Sequence, residues 1–262
     1  MPDATPSEGP DEALRLASVD NFRDVSGVGA APMRTADGRP LRRGVYYRSN
    51  DLRLADDDHA LLSALGLRTI IDLRSPLEIA LHPDPEIPGA EAVHVDAAGI
   101  PMERLSGLTT RDDAEALMLE VYRTFVTTAS SREAFGVVLR RLAEGGPQLF
   151  HCSAGKDRTG WVAALLLHVA GVDEATILGD YLLSNDRTAA SRAAVEAQIG
   201  AALGPERVAV YDPTLLVDER YLRTAWQAAA AEFGDLDGYL REGLGLDDAV
   251  LARLRELLVV HD

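Results

Sequence analysis

The fold turns on ten consecutive residues, His151-Cys152-Ser153-Ala154-Gly155-Lys156-Asp157-Arg158-Thr159-Gly160, in which five residues separate a cysteine from an arginine. They stand between two apolar runs. Pro147 to Phe150 is short and reads as a buried strand, while Thr159 to Ala170 reads as a helix apolar on nearly every side. A short loop that enters a helix amino terminus can aim several backbone N–H groups inward, where the helix dipole adds about half a positive charge. Gly155 allows the tight turn that such a loop needs. Arg158 can hold two oxygens of a phosphate with its planar fork, which a lysine cannot do. Ser153, Ala154, Gly155, Lys156, Asp157 and Arg158 are therefore the candidate phosphate-binding residues.

The same positive field favours the thiolate form of Cys152 and makes its sulfur the candidate nucleophile. In-line attack on a phosphate monoester would give a phosphocysteine, with the loop amides and Arg158 holding the equatorial oxygens as charge redistributes. That chemistry needs neither metal nor cofactor. His151 is expected to hydrogen-bond its neighbours and support the thiolate, with Thr159 as a second supporting residue. Lys156 either meets a substrate phosphate or adds a solvated charge. Asp157, inside the loop, can donate a proton, orient the loop or pair with Lys156. His59, His82, His94, His168 and His261 show no metal-ligand spacing, so no metal site is expected.

Upstream, Val19 to Val25 and Gly44 to Arg48 read as short strands. Asp56-Asp57-Asp58 starts a helix over 56–65, its charges on a solvated face, and Gly66 ends it. Arg68 to Leu73 is a buried strand with Asp72 near its carboxyl end, and Ala92 to Val95 is another. Ala97 to Thr128 reads as a polar connection with a helical stretch near Ala114 to Phe125, a candidate lid. Ser130 and Glu133 have capping-box spacing before a helix that Gly145-Gly146 closes. Downstream of Ala170 the pattern is helical only: Asp173 to Ser184, Thr188 to Leu203, Asp218 to Phe233, and a last pair after Gly234 and Gly245. This alternation predicts the α/β class, with a central, mostly parallel sheet flanked by helices and a helical carboxyl-terminal part. Residues 1–17, with Pro2, Pro6 and Pro10 among acidic residues, read as a flexible or disordered tail, and 18–262 as one domain.

Lys and Arg total 26 against 42 Asp and Glu, a formal charge of −16 that argues against a nucleic-acid partner. With 47 % of its residues hydrophobic, the chain can bury a sizeable core. Its most apolar stretch, Trp161 to Val172, contains His168 and is far shorter than the ~20 residues of a membrane span. Cys152 is the only cysteine, which rules out intramolecular disulfides and thiolate metal clusters. The first residues have neither a basic start nor an apolar run. These features point to the cytoplasm, or to export without a cleavable signal.

His-Cys, five residues, Arg, then Thr is the pattern by which this chain resembles the cysteine-dependent phosphatases. Gly155-Lys156-Asp157-Arg158-Thr159-Gly160 is similar within them to the bacterial protein-tyrosine phosphatases of the mycobacterial B type. Asn21-Phe22-Arg23-Asp24-Val25, Tyr47-Arg48-Ser49, Ile71-Asp72-Leu73-Arg74-Ser75, Asp180-Tyr181-Leu182 with Ser184-Asn185, and Gly238-Tyr239-Leu240 carry the likeness over nearly everything after residue 18. The resemblance implies a cysteine-phosphatase fold without cofactor. It also implies activity on protein phosphotyrosine, with phosphoserine, phosphothreonine and phosphoinositides as further substrates. Carried over by position, Cys152 is the nucleophile, Arg158 the phosphate clamp and Asp72 the general acid, with Asp157 as the rival carboxylate. The segment 97–128 is short for the family's two-helix lid.

Other classes predict different behaviour. A phytase-like inositol polyphosphate phosphatase would share the loop chemistry, and a turnover panel with inositol hexakisphosphate separates it. A phosphate-binding module without turnover would have no use for Cys152. A rhodanese-type sulfurtransferase also uses a loop cysteine, but Arg158 argues against it.

Overall fold

The computed structural model describes residues 14–97 and 99–260. The strands are β1 (Arg23–Asp24), β2 (Tyr46–Ser49), β3 (Thr69–Asp72), β4 (Glu91–His94) and β5 (Gln148–His151). They form one sheet in the order β1-β2-β5-β3-β4, antiparallel only between β1 and β2. The first three helices are α1 (Asp56–Ala64) after β2, α2 (Pro76–Leu81) after β3, and α3 (Met102–Ser106) after β4. They are followed by α4 (Arg111–Thr127) and α5 (Ala129–Ala143). Beyond β5 come α6 (Arg158–Ala170), α7 (Glu174–Leu182), α8 (Ser184–Arg187), α9 (Ala189–Leu203) and α10 (Val208–Leu215). The chain ends in α11 (Glu219–Phe233), the short α12 (Leu236–Gly238) that runs into a π turn, and α13 (Asp248–Leu258).

Alternation along the strands sorts their side chains onto two faces. Tyr46, Ile71 and Phe150 enter the larger core, built against α4, α5, α6 and α11, and Leu73 and Cys152 extend the same face beyond the strand ends. Ile70 and Leu149 point the other way, into a smaller cluster with Leu16, Phe22 and Leu62 of α1. Helix α6 is buried all round, as its composition requires, because it runs between the sheet and the outer helices.

Several sequence expectations change. The strand expected over Val19 to Val25 contracts to Arg23–Asp24. Helix α5 begins at Ala129, so Ser130 lies inside it and forms no cap. Asp58 is not solvated. Its carboxylate is buried and accepts hydrogen bonds from the Ala17 amide at 3.1 Å and from Ser18. Of the predicted tail, residues 1–13 lie outside the described residues, while Leu16 is buried and Ala17 is tied to α1. The segment taken for a lid contains α4, which buries Leu117, Met118, Val121, Tyr122 and Phe125 and is a core helix. Among the described residues no helix is long and apolar enough to cross a membrane.

Candidate active site

Strand β5 lies between β2 and β3, at the middle of the sheet, and delivers Cys152 to its carboxyl edge, where parallel sheets place ligands. The loop that follows is pinned from outside by its carbonyl groups. The Ser153 carbonyl accepts from the Asp51 amide at 3.1 Å. Asn21 Nδ2 reaches the Ala154 carbonyl at 3.5 Å and the Gly155 carbonyl at 2.8 Å, and Arg48 donates to the latter at 3.0 Å. Across a planar trans peptide the next N–H points opposite to the carbonyl. The amides of Ala154, Gly155 and Lys156 are thereby turned away from these partners. Gly155 has a φ of +66°, and a Cβ there would run into the Ser49 carbonyl and the Asn50 amide, so only glycine fits.

Cys152 is 2 % exposed, with the guanidinium groups of Arg48 and Arg158 both within electrostatic range of its sulfur. Arg158 opens α6 and spreads its fork onto Glu78 of α2, at 2.9 and 2.7 Å, with a third contact to the Leu73 carbonyl at 3.2 Å. Glu78 also accepts from the Ser153 hydroxyl at 2.5 Å and, through a capping box, from Ser75. Burial pushes the Glu78 carboxyl up, but Arg158 and Ser153 outweigh it and hold it well below the usual carboxylate range. Thr159 is buried, and its hydroxyl has no hydrogen-bond partner among the described residues. Nε2 of His151 lies 2.9 Å from Asp84, and its Nδ1 lies 3.4 Å from the Cys152 carbonyl.

The two candidate acids differ in placement. Asp72 pairs in register with His151, on the face of the sheet opposite to Cys152. Its two oxygens are taken by Arg74, at 2.9 Å from Nε and 2.7 Å from a terminal nitrogen. Asp157 lies in the loop itself, accepting from the Tyr122 hydroxyl at 2.9 Å and from Lys156 at 2.7 Å. Tyr181 in turn donates to Tyr122 at 2.7 Å. The Lys156 ammonium is thus committed to its neighbour and nearly buried. Among the described residues, Asp72, Asp84 and His151 are the trio whose ligand atoms come close enough for a metal. Arg74 already stands between the two carboxylates, 2.7 Å from Asp72 and 2.8 Å from Asp84, and supplies the positive charge there.

A cleft of about 500 Å³ leads to the loop, between Arg53 and His82 on one side and Arg192 and Val195 of α9 on the other. Helix α9 buries none of its residues and lines this cleft, while Gly99, in the segment 97–128, lies against the Arg158 guanidinium. Sequence reasoning missed Glu78, although Ser75 and Glu78 have the capping-box spacing that marks a helix start. It quoted Arg23, Arg48 and Asp180 as motifs without assigning them work. Tyr122 carried no signal, since its role depends on α4 lying against the loop.

The profile described as "Tyrosine phosphatase family" matches residues 14–260. A Cupriavidus necator protein provisionally named a tyrosine-protein phosphatase is 37 % identical over 249 residues, covering 91 % of this chain and 86 % of its own. The triple specificity protein phosphatase PtpB of Mycobacterium tuberculosis is 34 % identical over 275 residues, covering 91 % and 96 %. Among solved structures, P. aeruginosa TpbA covers 92 % of this chain and all of its own at 17 % identity, with a TM-score of 0.35, too slight a likeness to bear on the fold. The matched span takes in the cysteine loop, the arginine that closes it and the sheet that delivers both, and the chain belongs to the tyrosine phosphatase family.

Proposed function

We propose that the protein hydrolyses phosphotyrosine in proteins through a phosphocysteine at Cys152. The observation that carries this reading is the loop with its carbonyls pinned outward, which leaves its amides and Arg158 to surround one anion beside a lone buried cysteine. The Cys152 sulfur forms the bond to phosphorus as the bond to the tyrosyl oxygen breaks, and Asp157 gives that oxygen its proton. Asp157 then takes a proton from water, which attacks phosphorus and releases the thiolate and inorganic phosphate. Ser153 to Lys156 hold the equatorial oxygens, Arg158 exchanges Glu78 for substrate, and Thr159 and His151 support the loop.

Asp72, the acid expected from the resemblance, serves instead to hold Arg74. Single-turnover kinetics decide this. Asp157→Asn should slow phosphotyrosine cleavage by about 10²–10⁴ and spare aryl phosphates with good leaving groups, which need no proton. Asp72→Asn should show no such dependence on leaving group, and the reverse pattern would restore it as the acid. Cys152→Ser should bind phosphate without turnover, and activity near wild type there would end the phosphocysteine reading.

Phosphoserine, phosphothreonine and phosphoinositides form a second tier of proposed substrates. The triple specificity in the name of the mycobacterial relative supports this breadth. So does the cleft, whose lining carries Arg53 and Arg192 beside Lys156.

A further inference from the structure

Behind the loop, three charged side chains are shut away from water. Arg23 and Arg48 lie in β1 and β2, Asp180 lies in α7, and each is 4 % exposed or less. Asp180 accepts from Arg23 Nε at 3.0 Å and from Arg48 at 2.7 Å. Arg23 is further held by the Asn21 side chain, the Asp180 carbonyl and the Ser184 hydroxyl, none of which carries charge. Two guanidinium groups against one carboxylate leave the cluster with one uncompensated positive charge. Such a charge is costly in an interior unless an anion faces it.

The cluster meets the cysteine loop through Arg48. Arg48 donates to the Gly155 carbonyl and stands within electrostatic range of Cys152. The other ionisable side chains of this region already have partners. Arg158 is matched by Glu78, Lys156 by Asp157, and His151 by Asp84. The Tyr181 hydroxyl, from α7, donates to Tyr122.

We propose that Arg48 is a positioning residue of the phosphatase site: held by Asp180, it fixes the Gly155 carbonyl and supplies the standing positive charge that faces the anion at Cys152 while Glu78 neutralises Arg158. Burial, with Arg23 beside it, pushes the Arg48 guanidinium down only to about 10, so it stays charged at neutral pH. The substrate exchanges with Glu78 on Arg158, whereas Arg48 stays in place before and after that exchange. This rests on Cys152 as the nucleophile, an assignment that turnover by Cys152→Ser tests separately.

Because Cys152 is the only cysteine, its alkylation reports on this site alone. The readout is the rate with anionic iodoacetate divided by the rate with neutral iodoacetamide, which senses the potential at the sulfur rather than its accessibility. Arg48→Met should lower that ratio by about tenfold or more, as expected for one charge removed at close range in a poorly solvated site. Arg48→Lys, which keeps the charge, should stay near wild type. Asp180→Asn removes the compensating charge and should raise the ratio. A general loosening of the loop would move Arg48→Met and Asp180→Asn the same way, and that result overturns the proposal, as does an unchanged ratio in Arg48→Met. Should Arg48→Met fail to fold, a ratio in Asp180→Asn at or below wild type overturns it equally.

Discussion

Glu78 is the residue that most changes the picture of the site, because it is a carboxylate lodged where Arg158 is expected to hold phosphate. Its oxygens take the arginine fork and the Ser153 hydroxyl, so it ties α2 to the loop. A charge-assisted pair of this kind contributes about 1.5–3 kcal/mol. Since the folded protein holds Glu78 below the range of the free side chain, its contribution is complete above about pH 4.3 and is lost as pH falls toward its folded value. Thermal unfolding of wild type and Glu78→Gln should therefore differ by about 1.5–3 kcal/mol at neutral pH and converge in acid. A gap that stays constant down to about pH 2 would show that shape, not charge, joins these groups.

The elements divide into those that hold the site and one that lines its cleft. Helix α4 is buried along one side and brings Tyr122 to Asp157, whereas α9 buries nothing. Backbone amide exchange should accordingly be fast in α9 and slow by several orders of magnitude in α4; equal protection would mean that α9 is anchored as firmly as the core. The elements also show what a sequence reveals. The β5–loop–α6 unit was legible because an apolar strand, a glycine turn and an all-apolar helix are local patterns. The face that Asp72 presents was not legible, because strand alternation sets it only once the register against β5 is known. The segment 97–128 was read as a lid from its polar composition, yet the spacing of Leu117, Val121 and Phe125 on α4 gives the stripe that a core helix needs. Asp58 looked like an ordinary helix-start acid, and only the fold brings Ala17 and Ser18 onto it from about 40 residues away.

For the whole molecule, the decisive quantity is the charge of −16. It repels an anionic substrate at a distance, while the guanidinium groups of Arg48 and Arg158 act only over the last few ångströms. Screening weakens the first effect before the second, since the Debye length shrinks to about 8 Å at physiological salt. Raising ionic strength from a low value should thus increase kcat/KM for an acidic phosphopeptide by several-fold and change it less for a small aryl phosphate, whose charge is confined to the phosphate group. A fall for the acidic peptide would show that cations at the cleft govern encounter. The solitary Cys152 has a last consequence, for oxidative stress. Once a peroxide converts its sulfur to the sulfenic acid, no second thiol in the chain can resolve it as an internal disulfide. Recovery then depends on a small external thiol such as glutathione, or on capture by a backbone nitrogen, and without either the sulfur proceeds to the irreversible acids.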